Sequence, residues 1–168
     1  VPAATSYQIY RSTAKDGDYQ NIKTINSVGT SSWTDGSVKT GKTYYYKIKT
    51  VVKTQNGEQT SGFSNVKSAK AVPAKTTLKA KASDAKNVKL TWSKVKGASG
   101  YEIYRSNSKD GKCSKVKTIS KGSTTSYKNG KLKKSTTYYY KIRAYRKVNG
   151  KKVYGSYSSV VSVKTKAK

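Results

Sequence analysis

Histidine and methionine are absent from this 168-residue chain, cysteine and phenylalanine occur once each, and proline twice. Each gap closes off some chemistry. Without His no Cys–His pair can be built, and no Cys/His cluster can ligate a metal. The single Cys113 excludes an intrachain disulfide and reads as a small apolar filler. Acids are nearly as scarce: Asp16, Asp18, Asp35, Glu58, Asp84, Glu102 and Asp110 are all there are. Asp16 and Asp110 precede Gly17 and Gly111, where turn chemistry accounts for them. Asp16-Gly17-Asp18 begins like an oxygen-rich calcium loop, but too few ligands follow. There is no glycine-rich phosphate loop. No Arg-Gly-Asp tripeptide occurs in "KTQNGEQTSG" or "RKVNGKKVYG". No apolar run has the length of a transmembrane helix, and no signal peptide is visible. The expectation is a non-enzymatic protein without cofactor, metal site or membrane span. A start at Val1 rather than Met suggests a piece of something longer.

Lysine, serine, threonine and tyrosine fill the space. Hydrophobic residues make up 33% of the chain, so fifteen Tyr and two Trp must supply much of any core. The 36 basic residues face 7 acidic ones, for a net charge of +29. Such a chain is drawn to polyanions of any kind, whether nucleic acid, wall teichoic acid, acidic glycan or anionic lipid. Only Arg11, Arg105, Arg143 and Arg146 are arginine, which leaves 32 lysines. That bias argues against dedicated nucleic-acid recognition, which favours the planar fork of Arg.

The chain says most things twice. "YQIYRSTAKDGDYQNIKTI" begins at Tyr7 and "YEIYRSNSKDGKCSKVKTI" at Tyr101, 94 positions later. The offset holds through Trp33 and Tyr127, and through Tyr44-Tyr45-Tyr46 over Tyr138-Tyr139-Tyr140. After a slip of about one residue in the next hairpin it returns at Ser64 and Ser158. Modules of about 90–95 residues have the size of an immunoglobulin-like sandwich domain. In the second copy, alternation predicts seven short strands. They are "LKAKA", "NVKLTW", "YEIYRS", "CSKVKTI", a segment holding Tyr127, "TYYYKIRAY" and "SSVVSVKT". Asp110-Gly111 and Asn149-Gly150 supply hairpin turns. No helical periodicity is present, and the fold class is all-β.

Trp92 on the second strand, "YEIYRS" on the third, Leu132 six residues before Tyr138, and the closing "GSYSSVVSV" together resemble a fibronectin type III domain. The resemblance covers residues 76–166 and most of 7–70. It implies two tandem immunoglobulin-like sandwiches, residues 1–71 and 72–168, joined by "AKAVPAKTT" with Pro73 as a short, stiff hinge. The dialect "LTWSKVKGASGYEIYRS…TTYYYKIRAY" resembles modules of secreted and surface proteins of Gram-positive Firmicutes. Val1 aligns with Val95, so the first copy lacks counterparts of "LKAKASDAKNVKLTWSK", the family's strands A and B. The expectation is a cut chain; the alternative is a domain whose missing strands come from another chain.

The Leu132–Tyr138 spacing resembles the family's tyrosine corner, whose hydroxyl bonds back to the backbone of the turn. With Tyr138 facing inward, strand alternation sends Tyr140, Ile142 and Ala144 inward too. Tyr7, Ile9, Trp33, Tyr44, Tyr46, Ile48, Trp92, Tyr101, Ile103, Tyr127 and Leu132 complete the expected core. Tyr139, Lys141, Arg143 and Tyr145 point out, as do Tyr45, Lys47 and Lys49. Tyr104 and Arg105 of the neighbouring strand join this aromatic and basic ladder. The ladder is ordinary cross-strand packing or a shallow platform for sugar rings or an anionic polymer. What the resemblance implies is a non-catalytic spacer or interaction arm of an extracellular, wall-associated bacterial protein. The expected partner is anionic wall polymer or glycan. The alternatives are a specific glycan- or host-protein-binding adhesin module, and an assembly subunit completed by a neighbour.

Overall fold

The computed structural model describes residues 4–168, among which there is no helix. Alternation of Tyr, Ile and Val with Lys and Thr suits a pleated surface with one dry and one wet face. The chain divides into two compact units, the first ending at Ala71 and the second beginning at Val72.

The first unit holds β1 (Ser6–Ser12), β2 (Gln20–Ile25), β3 (Thr43–Thr54), β4 (Gly57–Thr60) and β5 (Lys67–Lys70). They form one antiparallel sheet in the order β2-β1-β3-β4, with β5 on the other half of β3. The second unit holds β6 (Leu78–Ala82), β7 (Val88–Trp92), β8 (Gly100–Ser106), β9 (Ser114–Ile119), β10 (Ser126–Asn129), β11 (Thr137–Val148), β12 (Lys151–Tyr154) and β13 (Val161–Lys164). One sheet runs β10-β7-β6 and the other β12-β11-β8-β9, with β13 also on β11. Alternation predicted seven strands here, one fewer than are present. Asn149 and Gly150, both at positive φ, turn the chain tightly into β12 before the loop to β13.

The second unit's core lies between its two sheets. Leu78, Val88, Leu90 and Trp92 of β6 and β7 pack against Tyr101 and Ile103 of β8 and Tyr138, Tyr140, Ile142 and Ala144 of β11. The Trp92 and Tyr101 rings meet at 5.4 Å, tilted 59° to one another. Tyr127 packs at the edge of this core, half-buried. Tyr138 makes the corner contact: its hydroxyl oxygen accepts the Lys133 amide at 2.9 Å, as Tyr44 accepts that of Lys39 at 3.0 Å. Tyr138→Phe is expected to leave the Lys133 amide unmatched and cost the second unit about 1–2 kcal/mol. Urea unfolding followed through Trp92 emission checks it, and a loss below a few tenths would remove the hydroxyl from the corner's energetics.

Among the described residues the first unit has no counterpart of β6 or β7. Its sheet repeats β8, β9, β11, β12 and β13 strand for strand, yet among the described residues no second sheet covers the inner face. Two core expectations are corrected as a result. Ile48 is 43% exposed, whereas Ile142 at the same register position is 0% exposed. Trp33 is 38% exposed and lies in a segment that is not a strand. The cause is a missing partner: β10 bonds in its sheet only to β7, so the Trp33 segment has no strand to pair with. Tyr7 and Tyr46 are half-buried for want of the same cover, while Ile9 and Tyr44 are buried by their neighbours in the sheet.

Candidate functional site

The outer face of β8 and β11 gathers charge around one buried acid. Glu102 faces Arg143 across the two strands and is 1% exposed. Its carboxylate accepts from Tyr104 (2.7 Å), Arg143 (2.9 Å), Lys152 (3.0 Å) and Tyr154 (3.2 Å), with the Lys115 ammonium 3.6 Å away. Burial alone would raise this carboxyl. The hydrogen bonds from Tyr104, Arg143 and Lys152 and the Lys152 charge outweigh burial and bring it down to about 2. Burial and hydrogen bonding push the Tyr104 hydroxyl well above its ordinary range. With four hydrogen bonds accepted and the Lys115 ammonium close by, Glu102 is the counter-ion of this cluster.

The rings around it are engaged as well. The Arg143 guanidinium lies 3.7 Å from the Tyr154 ring centre, 4.9 Å from Tyr157 and 5.4 Å from Tyr104. Lys141 sits 4.5 Å over Tyr157, and Tyr104 meets Tyr157 edge-on at 5.2 Å. Their faces therefore already hold the protein's own cations.

The first unit repeats this cluster with one decisive difference. Tyr10, Phe63, Lys47 and Lys49 stand where the second unit has Tyr104, Tyr157, Lys141 and Arg143. Tyr10 meets Phe63 edge-on at 5.0 Å, Lys49 lies 4.3 Å over Phe63, and Lys47 lies 4.2 Å over Tyr19. The counterpart of Glu102 is Gln8, which accepts only the Tyr10 hydroxyl at 2.8 Å. Among the described residues neither Lys47 nor Lys49 has an acidic partner. Phe63 is 45% exposed. This patch is cationic, aromatic and unneutralised.

Two residues of the expected ladder belong elsewhere. Arg105 pairs with Tyr140 in register, which puts it on the inner face rather than the outer one. It lies 5.1 Å over Tyr138 and donates to Asn129 at 3.2 Å, beside the Tyr140 hydroxyl that donates to the same oxygen at 2.8 Å. Arg11, Tyr46 and Asp35 make the matching network in the first unit, at 2.7 and 3.0 Å. Tyr145 does lie in the outward register, but it is 1% exposed. Opposite it is Gly100, where a Cβ would come within 2.6 Å of the Tyr145 hydroxyl, so the ring lies flat over bare backbone. That hydroxyl donates to the Ile119 carbonyl, and Lys152 caps the ring at 4.5 Å.

Tyr139 and Tyr45 keep a separate setting. Tyr139 is flanked across the strands by Ser106 and Ser162, and Tyr45 by Ser12 and Ser68. Both rings are half-buried between small neighbours. Single-strand alternation found Lys47, Lys49, Tyr104, Lys141 and Arg143 but missed Glu102, Tyr154, Tyr157, Gln8 and Phe63. The readable signal was that Glu102 and Arg143 share a face on adjacent strands. Tyr157 and Phe63 come from loops that no alternation rule reaches.

Among the described residues no three His, Cys, Asp or Glu side chains gather as a metal site. None of their segments is a helix long and apolar enough to cross a membrane. No protein-family model matches the chain. No curated protein matches it either. Among solved structures, it is similar to the crystal structure of the chicken CNTN1 FN1–FN3 domains, at 20% identity and TM-score 0.49. That match covers 96% of this chain and 56% of the other, so this chain spans little more than half its length. It is also similar to the crystal structure of FN3tt, at 21% identity and TM-score 0.47, covering 58% of this chain and 99% of that one. The two-sheet strand order of the second unit carries the description of the fold: an all-β chain of fibronectin type III-like sandwich type.

Proposed function

We propose that the chain is a non-catalytic spacer or interaction arm of a larger extracellular, wall-associated bacterial protein, with loose affinity for anionic polymers. The observation that carries the polymer reading is Gln8. Where the second unit balances its aromatic and cationic cluster with a buried acid, the first leaves Lys47 and Lys49 for an outside anion. The two lysines stand on one face with Phe63 between them, suited to the phosphates or carboxylates of a flexible polymer rather than to one shaped ligand. The resemblance to Firmicutes surface modules supports the setting.

Gln8→Glu would supply the missing acid. It is expected to weaken binding of a poly(glycerol phosphate) probe about threefold at low salt, and Lys47→Ala/Lys49→Ala about tenfold. Binding should vanish between about 50 and 500 mM salt and be indifferent to Tyr139→Ala. Isothermal titration against this probe and a neutral glycan checks it. Salt-resistant binding lost in Tyr139→Ala would overturn the reading. One observation favours that second reading, a specific glycan or host-protein module: the same Ser–Tyr–Ser row occurs in both units.

A further inference from the structure

The inner face of the first unit's sheet is a different surface from the one above. A depression of about 430 Å³ lies along it, lined by Ile9, Trp33, Asp35, Tyr44, Tyr46 and Ile48 among others. A second, of about 600 Å³, shares Ile9, Trp33 and Ile48. The chain itself records what covers such a face. Ninety-four positions on, the counterparts Ile103, Tyr138, Tyr140 and Ile142 lie under Leu78, Val88, Leu90 and Trp92 of the β6–β7 hairpin.

We infer that the first unit is an acceptor for a donated β-hairpin with the apolar pattern of Leu78–Trp92. The inner strand of that hairpin pairs with residues Ser32–Asp35 and converts them from coil to strand. The register follows from the second unit. There Leu90 pairs with Tyr127 and Val88 with Asn129, so the donor's Leu90 position falls opposite Trp33 and its Val88 position opposite Asp35. The Asp35 carboxylate, which already accepts from Arg11, Tyr46 and Ser37, can lie under such a lid with its own hydrogen bonds made. The donor is a segment outside the described residues rather than the β6–β7 of a second copy. That hairpin is committed to its own core, where Val88 and Leu90 are 0% exposed.

Val1 lies 94 positions before Val95, so residues Thr76–Lys94 grafted directly ahead of Val1 restore the repeat's own spacing. In the full chain carrying this graft, hydrogen exchange of the amides of residues 32–35 is expected to slow at least tenfold. The same graft with Val88→Asp and Leu90→Asp in the grafted copy should leave exchange unchanged. A synthetic peptide of residues 77–93, added in excess to the unmodified chain, should give the same protection in trans, which keeps the test valid if the graft misfolds. No protection in either arm overturns the inference. So does protection that grows with concentration of the unmodified chain alone, since a second copy would then be the occupant.

Discussion

Ile142→Ala is expected to destabilise the second unit by about 4 kcal/mol, whereas Ile48→Ala, the same residue at the same register position, costs the first unit about 1 kcal/mol or less. The second side chain is sealed between two sheets, and truncation leaves a cavity that close-packed neighbours cannot fill. The first is open to solvent on one side, so much of its apolar area never left water. For a unit of this size, the larger loss corresponds to a fall in Tm on the order of 15–30 °C. Hydrogen exchange in increasing urea, read peptide by peptide, separates the two units in one sample. Equal losses would mean that the first unit's inner face is covered in solution after all.

Glu102→Gln should remove about 3 kcal/mol from the second unit at neutral pH, an effect that disappears in acid. The amide keeps the shape of the carboxyl but leaves Arg143, Lys152 and Lys115 without a counter-ion. Folding lowers the Glu102 pKa from 4.5 to about 2. A depressed acid contributes stability that is fully present above its unfolded value and is lost as pH falls through its folded value. The wild-type advantage should therefore be level above about pH 5.5, shrink below 4.5 and close near 2. A gap of this width corresponds to about 3 kcal/mol. Urea midpoints of wild type and variant, measured through Trp92 from pH 7 to pH 2, give the curve. An advantage that stays constant down to pH 2 would mean that the loss comes from shape and not from charge.

The fold was legible because its signals are local and repeated. Tyr and Ile alternating with Lys and Thr, and the Leu132–Tyr138 spacing, need only neighbouring residues to be read, and the 94-residue echo shows the same pattern twice. That the first unit has no counterpart of β6 and β7 among the described residues agrees with the repeat, in which nothing in the first copy aligns with those strands. What was not legible depends on pairing between strands. Arg105 sits one position from Tyr104 and was placed with it, but β11 sets it opposite Tyr140 on the inner face. Tyr145 was read correctly as outward-facing and wrongly as exposed, because Gly100 opposite makes room for the ring to lie down. Trp33 and Ile48 were assigned to the core by their counterparts, although the lid that buries those counterparts has no equal in the first unit. In the sequence Glu102 is one acid among seven; the strand register puts three cations and two tyrosines around it.

The first unit's open face also has a consequence for how copies of the chain behave toward one another. An uncovered apolar groove beside unpaired backbone ordinarily invites a second molecule to dock. In this chain nearly every charge has the same sign, and the net +29 holds neighbours apart. The reach of that repulsion is ~10 Å at 0.1 M salt and ~3 Å at 1 M. Lysine is then a colloidal guard for the inner face, besides the role proposed for it on the outer one. Raising salt screens that repulsion and lets the uncovered faces of two molecules meet.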